Sequence, residues 1–374
     1  MSQYMIQAGL ASGMSQTDGW HSQTPNPVPA DFDNTKFLTP EDYVPSRDTR
    51  PKYKGKHEDV YGSPMIIGGW PWGDSATFGW KPEEEPDNRE GWMTCVKNGV
   101  NMIDTAPIYG SGRSEELCGQ WFVQMKQDGY KREDWLFQTK YSGLPTLPNT
   151  YAKWSHAPQS MLEESLKRTN LEYVDSYLVH GPIHPQSIAT VCKAIAECVD
   201  KRLTKIVGVA NCNKEDIIAY KDEFAKYGVP LAFVQNEYSI LRRYDEVEGI
   251  YELCKENDII LQGYSAVANG RLTGKWDAEH EPPSTYRFSK YPMKDLEPVT
   301  DALRKIAKKR ETTMAAVALN YILIRGIVPV VALRDPAQAE SNCKALGWRL
   351  SDGERGEIDK VSLVGRTSAI WQRG

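Results

Sequence analysis

Long apolar runs are missing from this sequence of 374 residues, and no stretch reaches the ~20 apolar residues that a membrane-spanning helix needs. The first residues also lack the basic start and the sustained apolar core of a secretory signal peptide. No Lys or Arg occurs before Lys36, whereas transit peptides are rich in Arg. We therefore expect a cytoplasmic protein that has no membrane partner.

An excess of positive charge and clustered cysteines are missing as well. The 45 Lys and Arg residues against 50 Asp and Glu residues leave a net charge of −5, which offers no general attraction to nucleic-acid phosphates. The seven cysteines form no CxxC pair, and no Cys/His cluster has the spacing of zinc ligands. The sequence therefore predicts neither a nucleic-acid partner nor a metal site, and it is typical of a reducing compartment.

The composition that remains is that of a globular protein. Hydrophobic residues make up 40% of the chain and charged residues 25%, which is enough to fill a large core. Residues 1–57 differ, because they are rich in Ser, Gln, Pro and Asp and show no hydrophobic periodicity. We interpret them as an extended or partly disordered leader, in which Trp20, Phe32 and Phe37 could dock onto the main body. Residues 58–374 are expected to form a single domain with a C-terminal tail.

Eight short apolar runs follow one another from residue 58 onwards. Each is too short for a buried helix and is bounded by polar, Gly or Pro residues, so we predict a strand for each. The runs are MIIGG (65–69), NMIDT (101–105), WLFQTK (135–140), SYLVH (176–180), IVGVAN (206–211), AFVQN (232–236), IILQGYS (259–265) and VPVVAL (328–333).

Segments with helical spacing separate these runs, among them residues 158–171, 187–203, 303–310 and 312–325. Strands that alternate with helices pair in parallel through right-handed crossovers. Eight such units favour an α/β protein with a closed (β/α)8 barrel, the TIM-barrel fold, and the absence of a GxGxxG motif disfavours a Rossmann domain. Residues 276–297, with their three prolines, are predicted to form a long loop after the seventh strand and to act as a flap over a cofactor.

Polar side chains stand at the carboxyl ends of the second, third and fourth predicted strands. Because such ends carry the chemistry of a (β/α)8 barrel, we expect Asp104, Lys140 and His180 to meet at its mouth, beside Tyr109 of a following loop. Hydride addition to a carbonyl group builds negative charge on its oxygen, which needs a proton donor. We expect Tyr109 to be that donor, with the Lys140 ammonium lowering its pKa. Asp104 would pair with Lys140, and His180 would orient the oxygen.

Each of these residues also has a plainer explanation. Asp104 could cap a helix, Lys140 could be solvated, and His180 could be an ordinary core histidine. His180 and His184 are four residues apart, but a Gly-Pro pair between them excludes a helical metal-binding face. A catalytic role is favoured because all four residues fall at the ends of three neighbouring strands or in the loop that follows one of them.

Two segments resemble the aldo-keto reductase family. MIDTAPIYGSGRSEELCG (102–119) is similar to a signature of that family, and LEYVDSYLVHGP (171–182) is similar to its fourth-strand segment. The resemblance covers roughly residues 60–350. It implies that Asp104, Tyr109, Lys140 and His180 form the family's catalytic tetrad, with Tyr109 as the general acid.

The same resemblance implies a site for a nicotinamide cofactor. GVANC (208–212) and FVQNEYS (233–239) match segments whose amide side chains hold the nicotinamide, although Ala210 stands where a Ser is frequent. YSAVANGRLTGK (264–275) matches a loop that lies along the pyrophosphate, and VALRDPAQAESNCKAL (331–346) matches the motif around the adenosine. The residues expected to bind the cofactor are Gly69, Trp70, Asn211, Gln235, Tyr264, Ser265, Val267, Arg334, Gln338 and Asn342.

The choice of cofactor depends on Arg334. Its guanidinium could bind a 2′-phosphate, which favours NADPH over NADH. Alternatively, Arg334 is a surface side chain paired with the neighbouring Asp335. In the loop after the first strand, Trp70 and Trp72 are expected either to wall a substrate pocket or to be ordinary rim aromatics. The tail, residues 363–374, is expected to fold over the same mouth.

These inferences together predict an NADP-dependent oxidoreductase that reduces an aldehyde or a ketone to an alcohol, or catalyses the reverse reaction. A nucleotide-binding protein of the same fold that regulates a partner with little catalysis is the alternative. A (β/α)8 enzyme that acts on a phosphorylated sugar without nicotinamide is a further one. The expected partners are small carbonyl or alcohol compounds.

Overall fold

A closed barrel of eight parallel strands forms the centre of the protein. The structure, a computed structural model, describes residues 23–143, 148–368 and 371–374. Every barrel strand pairs with the next one along the chain, and the last closes the ring on the first. After a hairpin of β1 (Lys52–Tyr53) and β2 (Val60–Tyr61), the barrel strands are β3 (Ile66–Gly68), β4 (Met102–Asp104), β5 (Leu136–Tyr141), β6 (Val174–Val179), β7 (Thr204–Ala210), β8 (Leu231–Glu237), β9 (Ile260–Tyr264) and β10 (Val328–Ala332).

Helices occupy the connections between the strands and cover the outside of the barrel. They are α1 (Ser75–Phe78), α2 (Glu85–Lys97), α3 (Arg113–Gln127), α4 (Pro148–Lys153), α5 (Ala157–Thr169), α6 (Ile188–Asp200), α7 (Lys214–Ala225), α8 (Tyr244–Val247), α9 (Ile250–Glu256), α10 (Glu297–Lys309), α11 (Met314–Leu323), α12 (Pro336–Cys343) and α13 (Asp352–Asp359). The predicted (β/α)8 barrel, its eight strands and the four helical segments are therefore confirmed.

Helix α6 shows how the sequence produces this arrangement. The Ser187 side chain caps its first turn by accepting a hydrogen bond from the backbone N–H of Thr190. Val191, Ile195 and Val199 repeat at helical spacing, and all three are buried against the barrel. The apolar stripe of the helix and the outward-facing side chains of the strands thus share one core.

The hairpin of β1 and β2 lies under the amino-terminal ends of the barrel strands. Tyr53 is fully buried there, with its ring centroid 5.8 Å from that of Phe233, and its hydroxyl accepts a hydrogen bond from Gln262 Nε2 at 3.3 Å. The hairpin spans the predicted boundary between residues 57 and 58, and that boundary stays a prediction.

The described part of the leader runs along the outside of the barrel. Phe37 is buried, stacks on Phe32 at 5.7 Å and meets the edge of Tyr251 at 5.0 Å. The backbone N–H of Thr39 donates to the carbonyl of Ile324 at 2.9 Å. Trp20, the third aromatic residue expected to dock, lies outside the described residues.

The connection from β9 to α10 is long, as predicted, and holds only short turns of 3-10 helix. Within the described ranges every helix is too short or too polar to traverse a lipid bilayer. No cluster of three or more His, Cys, Asp and Glu side chains suited to a metal ion occurs in the same ranges.

We expect the replacement Gly119→Ala to destabilise the fold. A methyl group at Gly119 of α3 would lie 2.6 Å from the carbonyl oxygen of Arg168 in α5, so the two helices would have to separate. Overpacking of this kind costs about 1–3 kcal/mol. The control is Gly353→Ala in α13, where a methyl group meets no atom within 4 Å. Denaturant unfolding should show a lower free energy of unfolding for Gly119→Ala alone, and equal values for the two variants would contradict the packing described.

Candidate active site

A cavity of about 950 Å³ opens at the carboxyl ends of the strands. All residues predicted for the catalytic and cofactor sites line it except Gly69 and Lys140. Lys140 lies just behind its wall, fully buried. Gly69 lies behind the wall, packed so closely against Ser114 and Trp72 that a side chain there would collide with them. The cavity thus brings together predicted positions that are up to 272 residues apart, from Trp70 to Asn342, in one continuous space.

The pair of Asp104 and Lys140 forms the floor of this cavity. Lys140 Nζ donates to Asp104 Oδ2 at 2.6 Å and to the carbonyl oxygen of Thr105 at 2.8 Å. The other carboxylate oxygen of Asp104 accepts hydrogen bonds from Gln138 Nε2 at 2.6 Å and Gln235 Nε2 at 3.2 Å. Burial lowers the pKa of Lys140, and the Asp104 carboxylate opposes that shift. The carboxylate thereby favours the charged form of an ammonium group that has no access to water.

Tyr109 lies above this pair. The ammonium of Lys140 stands 4.7 Å from the centroid of the Tyr109 ring, over its face, whereas the hydroxyl points to His180 Nε2 at 3.5 Å. Burial raises the pKa of Tyr109 well above 10, and the negative charge of Asp104 adds to that rise. The net shift of the Tyr109 pKa is therefore upward, whereas the sequence analysis expected a lowered value. The ammonium is bound by Asp104 and faces the ring, so burial has the larger effect.

His180 lies next to the Tyr109 hydroxyl and is held in place from its other side. Its Nδ1 lies 3.0 Å from Ser142 Oγ, and its ring packs edge-on against Trp371 at 5.3 Å. Burial, helped by the charge of Lys140, lowers the pKa of His180 well below 6.5. The imidazole is therefore neutral at neutral pH, with one ring nitrogen available as a donor.

The predicted nicotinamide-binding residues form a hydrogen-bonded chain next to His180. Asn211 Nδ2 donates to the carbonyl oxygen of His180 at 2.8 Å, and Asn211 Oδ1 accepts from the hydroxyl of Tyr264 at 2.7 Å. Asn211 and Ser265 both hold left-handed backbone conformations, with φ of 61° and 54°. Such angles are uncommon outside glycine and concentrate at functional sites. Gln235, by contrast, directs its amide nitrogen to Asp104 and to Gln262 Oε1, at 3.2 Å and 3.0 Å.

The far end of the cavity is formed by β10 and α12. Arg334 Nε donates to Glu84 Oε2 at 2.9 Å, and its Nη1 donates to the carbonyl oxygen of Phe78 at 3.0 Å. Asp335 instead caps α12 by accepting from the backbone N–H of Gln338 at 2.7 Å. The alternative pairing of Arg334 with Asp335 was therefore wrong, because Asp335 is turned to its own helix and Glu84 reaches the guanidinium from another loop.

Aromatic rings wall the mouth. Trp70 stacks on Tyr109 at 5.8 Å and meets Phe78 and Phe288 edge-on at 5.0 Å and 5.6 Å. Trp72 is not part of this wall, since it is fully buried and donates through Nε1 to the carbonyl oxygen of Leu333 at 2.9 Å. Of the two tryptophans expected in the pocket wall, only Trp70 lines the cavity, because the turn after β3 directs the Trp72 ring inward.

Several residues of the site were missed by the sequence analysis. Their shared feature is a place in irregular segments without a pattern: Glu84, Ser142, Arg287, Phe288 and Trp371. The flap and the tail were both expected over the mouth, and Phe288 and Trp371 come from these two segments. The positions within them that face inward depend on loop geometry, which no periodicity records.

The comparison with known families agrees with this geometry. The model of the Aldo/keto reductase family matches residues 64–363, so the chain belongs to that family, whose members are oxidoreductases that use nicotinamide cofactors. Among curated relatives, "Pyridoxal reductase, chloroplastic" from Arabidopsis thaliana is 29% identical over 317 residues, covering 82% of this chain and 85% of its own. "NADH-specific methylglyoxal reductase" from Escherichia coli is 28% identical, covering 68% and 81%.

Solved structures show the same fold. Glycerol dehydrogenase from Gluconobacter oxydans is 23% identical with a TM-score of 0.70, covering 83% of this chain and 94% of its own. An aldo/keto reductase from Klebsiella pneumoniae in complex with NADP and acetate is 19% identical with a TM-score of 0.64, covering 86% and 99%.

Because His180 is neutral in the fold, we expect the free energy of unfolding to depend on pH. Because the pKa of His180 is far below 6.5 in the fold, the unfolded chain binds a proton that the folded chain does not as the pH falls below 6.5. The free energy of unfolding should therefore decrease with falling pH in that range, and His180→Gln should make the decrease smaller. Denaturant unfolding at several pH values, with imidazole NMR signals assigned through this variant, measures both effects. A His180 ring that is protonated at pH 6.5 would be incompatible with the site described.

Proposed function

We propose that the protein interconverts an aldehyde or ketone with its alcohol and uses NADPH as cofactor. The observation that carries this proposal is the meeting of the Tyr109 hydroxyl and His180 Nε2, 3.5 Å apart, at a cavity whose floor is the ion pair of Asp104 and Lys140. An oxygen atom placed against both groups would receive two hydrogen bonds. When bound, a nicotinamide would supply the hydride.

Tyr109 supplies the proton in this scheme. With its pKa raised, the phenol is protonated at neutral pH and is available as a donor. Its proton moves to the carbonyl oxygen as negative charge develops there. The phenolate that remains lies on a ring 4.7 Å from the Lys140 ammonium, which stabilises it at the moment it forms. Because stabilising the phenolate is equivalent to lowering the pKa of the phenol, Lys140 in this scheme partly offsets the rise in pKa that burial causes.

His180 orients the substrate in this proposal. Ser142 Oγ lies within hydrogen-bonding distance of Nδ1, and we assign the hydroxyl as the donor of that bond. This assignment puts the proton of the neutral ring on Nε2, which faces the Tyr109 hydroxyl. A neutral donor holds the carbonyl oxygen without giving up a proton of its own. All four residues are in place, and this argues against the alternative of a regulatory protein with little catalysis.

The cavity suits a dinucleotide in shape and chemistry. The tetrad lines one end and Arg334, Gln338 and Asn342 the other, and the left-handed backbone at Ser265 lies between them. In our proposal Asn211 and Gln235 hold the carboxamide and Tyr264 stacks on the nicotinamide. Trp70, Ser265 and Val267 complete the walls, and Gly69 is packed behind them.

NADPH is proposed over NADH because of Arg334. Its guanidinium lines the cavity just before α12, where the helix dipole also favours an anion. An aldo-keto reductase of Schizosaccharomyces pombe that is named for NADP(+) is 29% identical over 305 residues, which supports this choice. The carboxylate of Glu84 competes for the same guanidinium. A cytoplasmic location remains part of the proposal.

We expect Tyr109→Phe to reduce turnover by about 10²–10⁴-fold, the usual contribution of a general acid. The affinity for NADPH, measured by quenching of tryptophan fluorescence, should change by less than about twofold because the ring remains. Tyr61→Phe, at an exposed position of the hairpin, is the matched control. Turnover of a panel of aromatic and aliphatic aldehydes measures the effect. Full activity in Tyr109→Phe would refute the assignment of the proton donor.

We expect Arg334→Ala to weaken NADPH binding by about 10–100-fold and NADH binding much less, because only NADPH carries the 2′-phosphate. Glu84→Gln is the complementary variant, and it should strengthen NADPH binding by freeing the guanidinium. Calorimetry with both cofactors measures the two variants. Equal losses of NADPH and NADH in Arg334→Ala would overturn the preference for NADPH.

A further inference from the structure

We propose that Glu237 is a positioning residue that holds the flap and the C-terminal tail closed over the site. Glu237 ends β8 two residues after Gln235 and is buried. Its Oε1 accepts a hydrogen bond from Ser289 Oγ of the flap at 2.7 Å, and its Oε2 accepts one from Gln372 Nε2 of the tail. One carboxylate therefore binds both segments that cover the cavity.

Arg242 completes the arrangement. Its Nη1 donates to the backbone carbonyl of Glu237 at 2.6 Å, and its Nε lies 3.5 Å from Glu237 Oε2. It also donates to the backbone carbonyls of Arg366 at 3.2 Å and Gly374 at 2.7 Å, which fixes the tail at two points. We call Glu237 and Arg242 the clasp. Both side chains are buried, so each charge depends on partners within the protein rather than on water.

The backbone of the flap indicates that its contact with the clasp is specific. Ser289 holds a left-handed conformation with φ of 47°, an uncommon state for a residue other than glycine. Such a conformation persists only where surrounding contacts determine it. The preceding residue, Phe288, packs on Tyr264 at 5.3 Å and on Trp70 at 5.6 Å, so the bond of Ser289 also fixes a ring of the cavity wall.

Gln372 of the tail contacts both the clasp and the active site. Gln372 Nε2 also donates to the hydroxyl of Tyr264 at 3.2 Å, and that hydroxyl donates to Asn211 Oδ1 at 2.7 Å. The neighbouring Trp371 packs on His180. Release of the tail from Glu237 would therefore remove the ring that shields His180 and loosen the side chain proposed to stack on the nicotinamide.

Hydrogen exchange of the free protein tests the clasp without cofactor or substrate. Glu237→Gln keeps the shape of the side chain but removes its charge, and we expect exchange to rise about tenfold or more in peptides from both the flap and the tail. Ser289→Ala should raise exchange in the flap alone and Gln372→Leu in the tail alone. Ser284→Ala, an exposed hydroxyl of the same flap, is the matched control and should change neither.

Two outcomes would overturn the proposal. One is a rise in hydrogen exchange in Glu237→Gln that is confined to either the flap or the tail, or that is spread evenly over the barrel. In the first case Glu237 would support only one segment, and in the second it would support the fold as a whole. The other is unchanged exchange in both Ser289→Ala and Gln372→Leu, which decides the question even where Glu237→Gln does not fold.

A kinetic measurement gives the functional consequence and rests on the proposed function. Stopped-flow tryptophan fluorescence should show NADPH leaving Ser289→Ala about tenfold faster than the parent protein, with a smaller change in Gln372→Leu. Gln372→Leu should instead raise the KM of the carbonyl substrate. If no carbonyl compound is turned over while the exchange pattern holds, the proposed function fails and the clasp stands. Unchanged NADPH release in Ser289→Ala would show that the clasp does not hold the flap over the cofactor.

Discussion

The buried ion pair of Lys140 and Asp104 is the interaction on which the rest of the site depends. An ammonium that is fully buried in a protein is stable only with a partner that repays its lost hydration. Asp104 is that partner, and its second oxygen is held by amides from Gln138 and Gln235. These bonds tie β4, β5 and β8 together across the barrel interior. The pair therefore fixes a positive charge under Tyr109 with little freedom to move.

That fixed charge explains how a phenol with a raised pKa can serve as an acid. In the resting site burial dominates and keeps the proton on Tyr109. The Lys140 charge becomes important when the phenolate forms, because the ammonium lies 4.7 Å from the ring centroid and its burial weakens the screening between the two charges. Trp70, Phe288 and Trp371 form an aromatic wall beside this region. The clasp of Glu237 and Arg242 is a second buried ion pair, and in our proposal it holds the flap and the tail over the site.

The barrel and the tetrad could be predicted because both correspond to regular patterns in the sequence. Eight short apolar runs separated by amphipathic segments define the strands, and Asp104, Lys140 and His180 fall where those runs end. The direction of the Tyr109 pKa could not be predicted, since it depends on whether the ammonium meets the hydroxyl or the ring face. The pairing of Arg334 with Glu84 joins residues 250 positions apart through an irregular loop. Trp70 and Trp72 have the same sequence context, and only the turn after β3 distinguishes the fully buried Trp72 ring from the half-buried Trp70 ring that lines the cavity.

The central claim is that one substrate oxygen lies between Tyr109 and His180, above the ion pair. A crystal structure with NADPH and a carbonyl compound or a carboxylate inhibitor tests it most directly. We expect an oxygen atom at hydrogen-bonding distance, about 2.6–3.2 Å, from both Tyr109 Oη and His180 Nε2, next to the nicotinamide ring. A ligand oxygen bound elsewhere in the cavity, with these two groups turned to other partners, would contradict it.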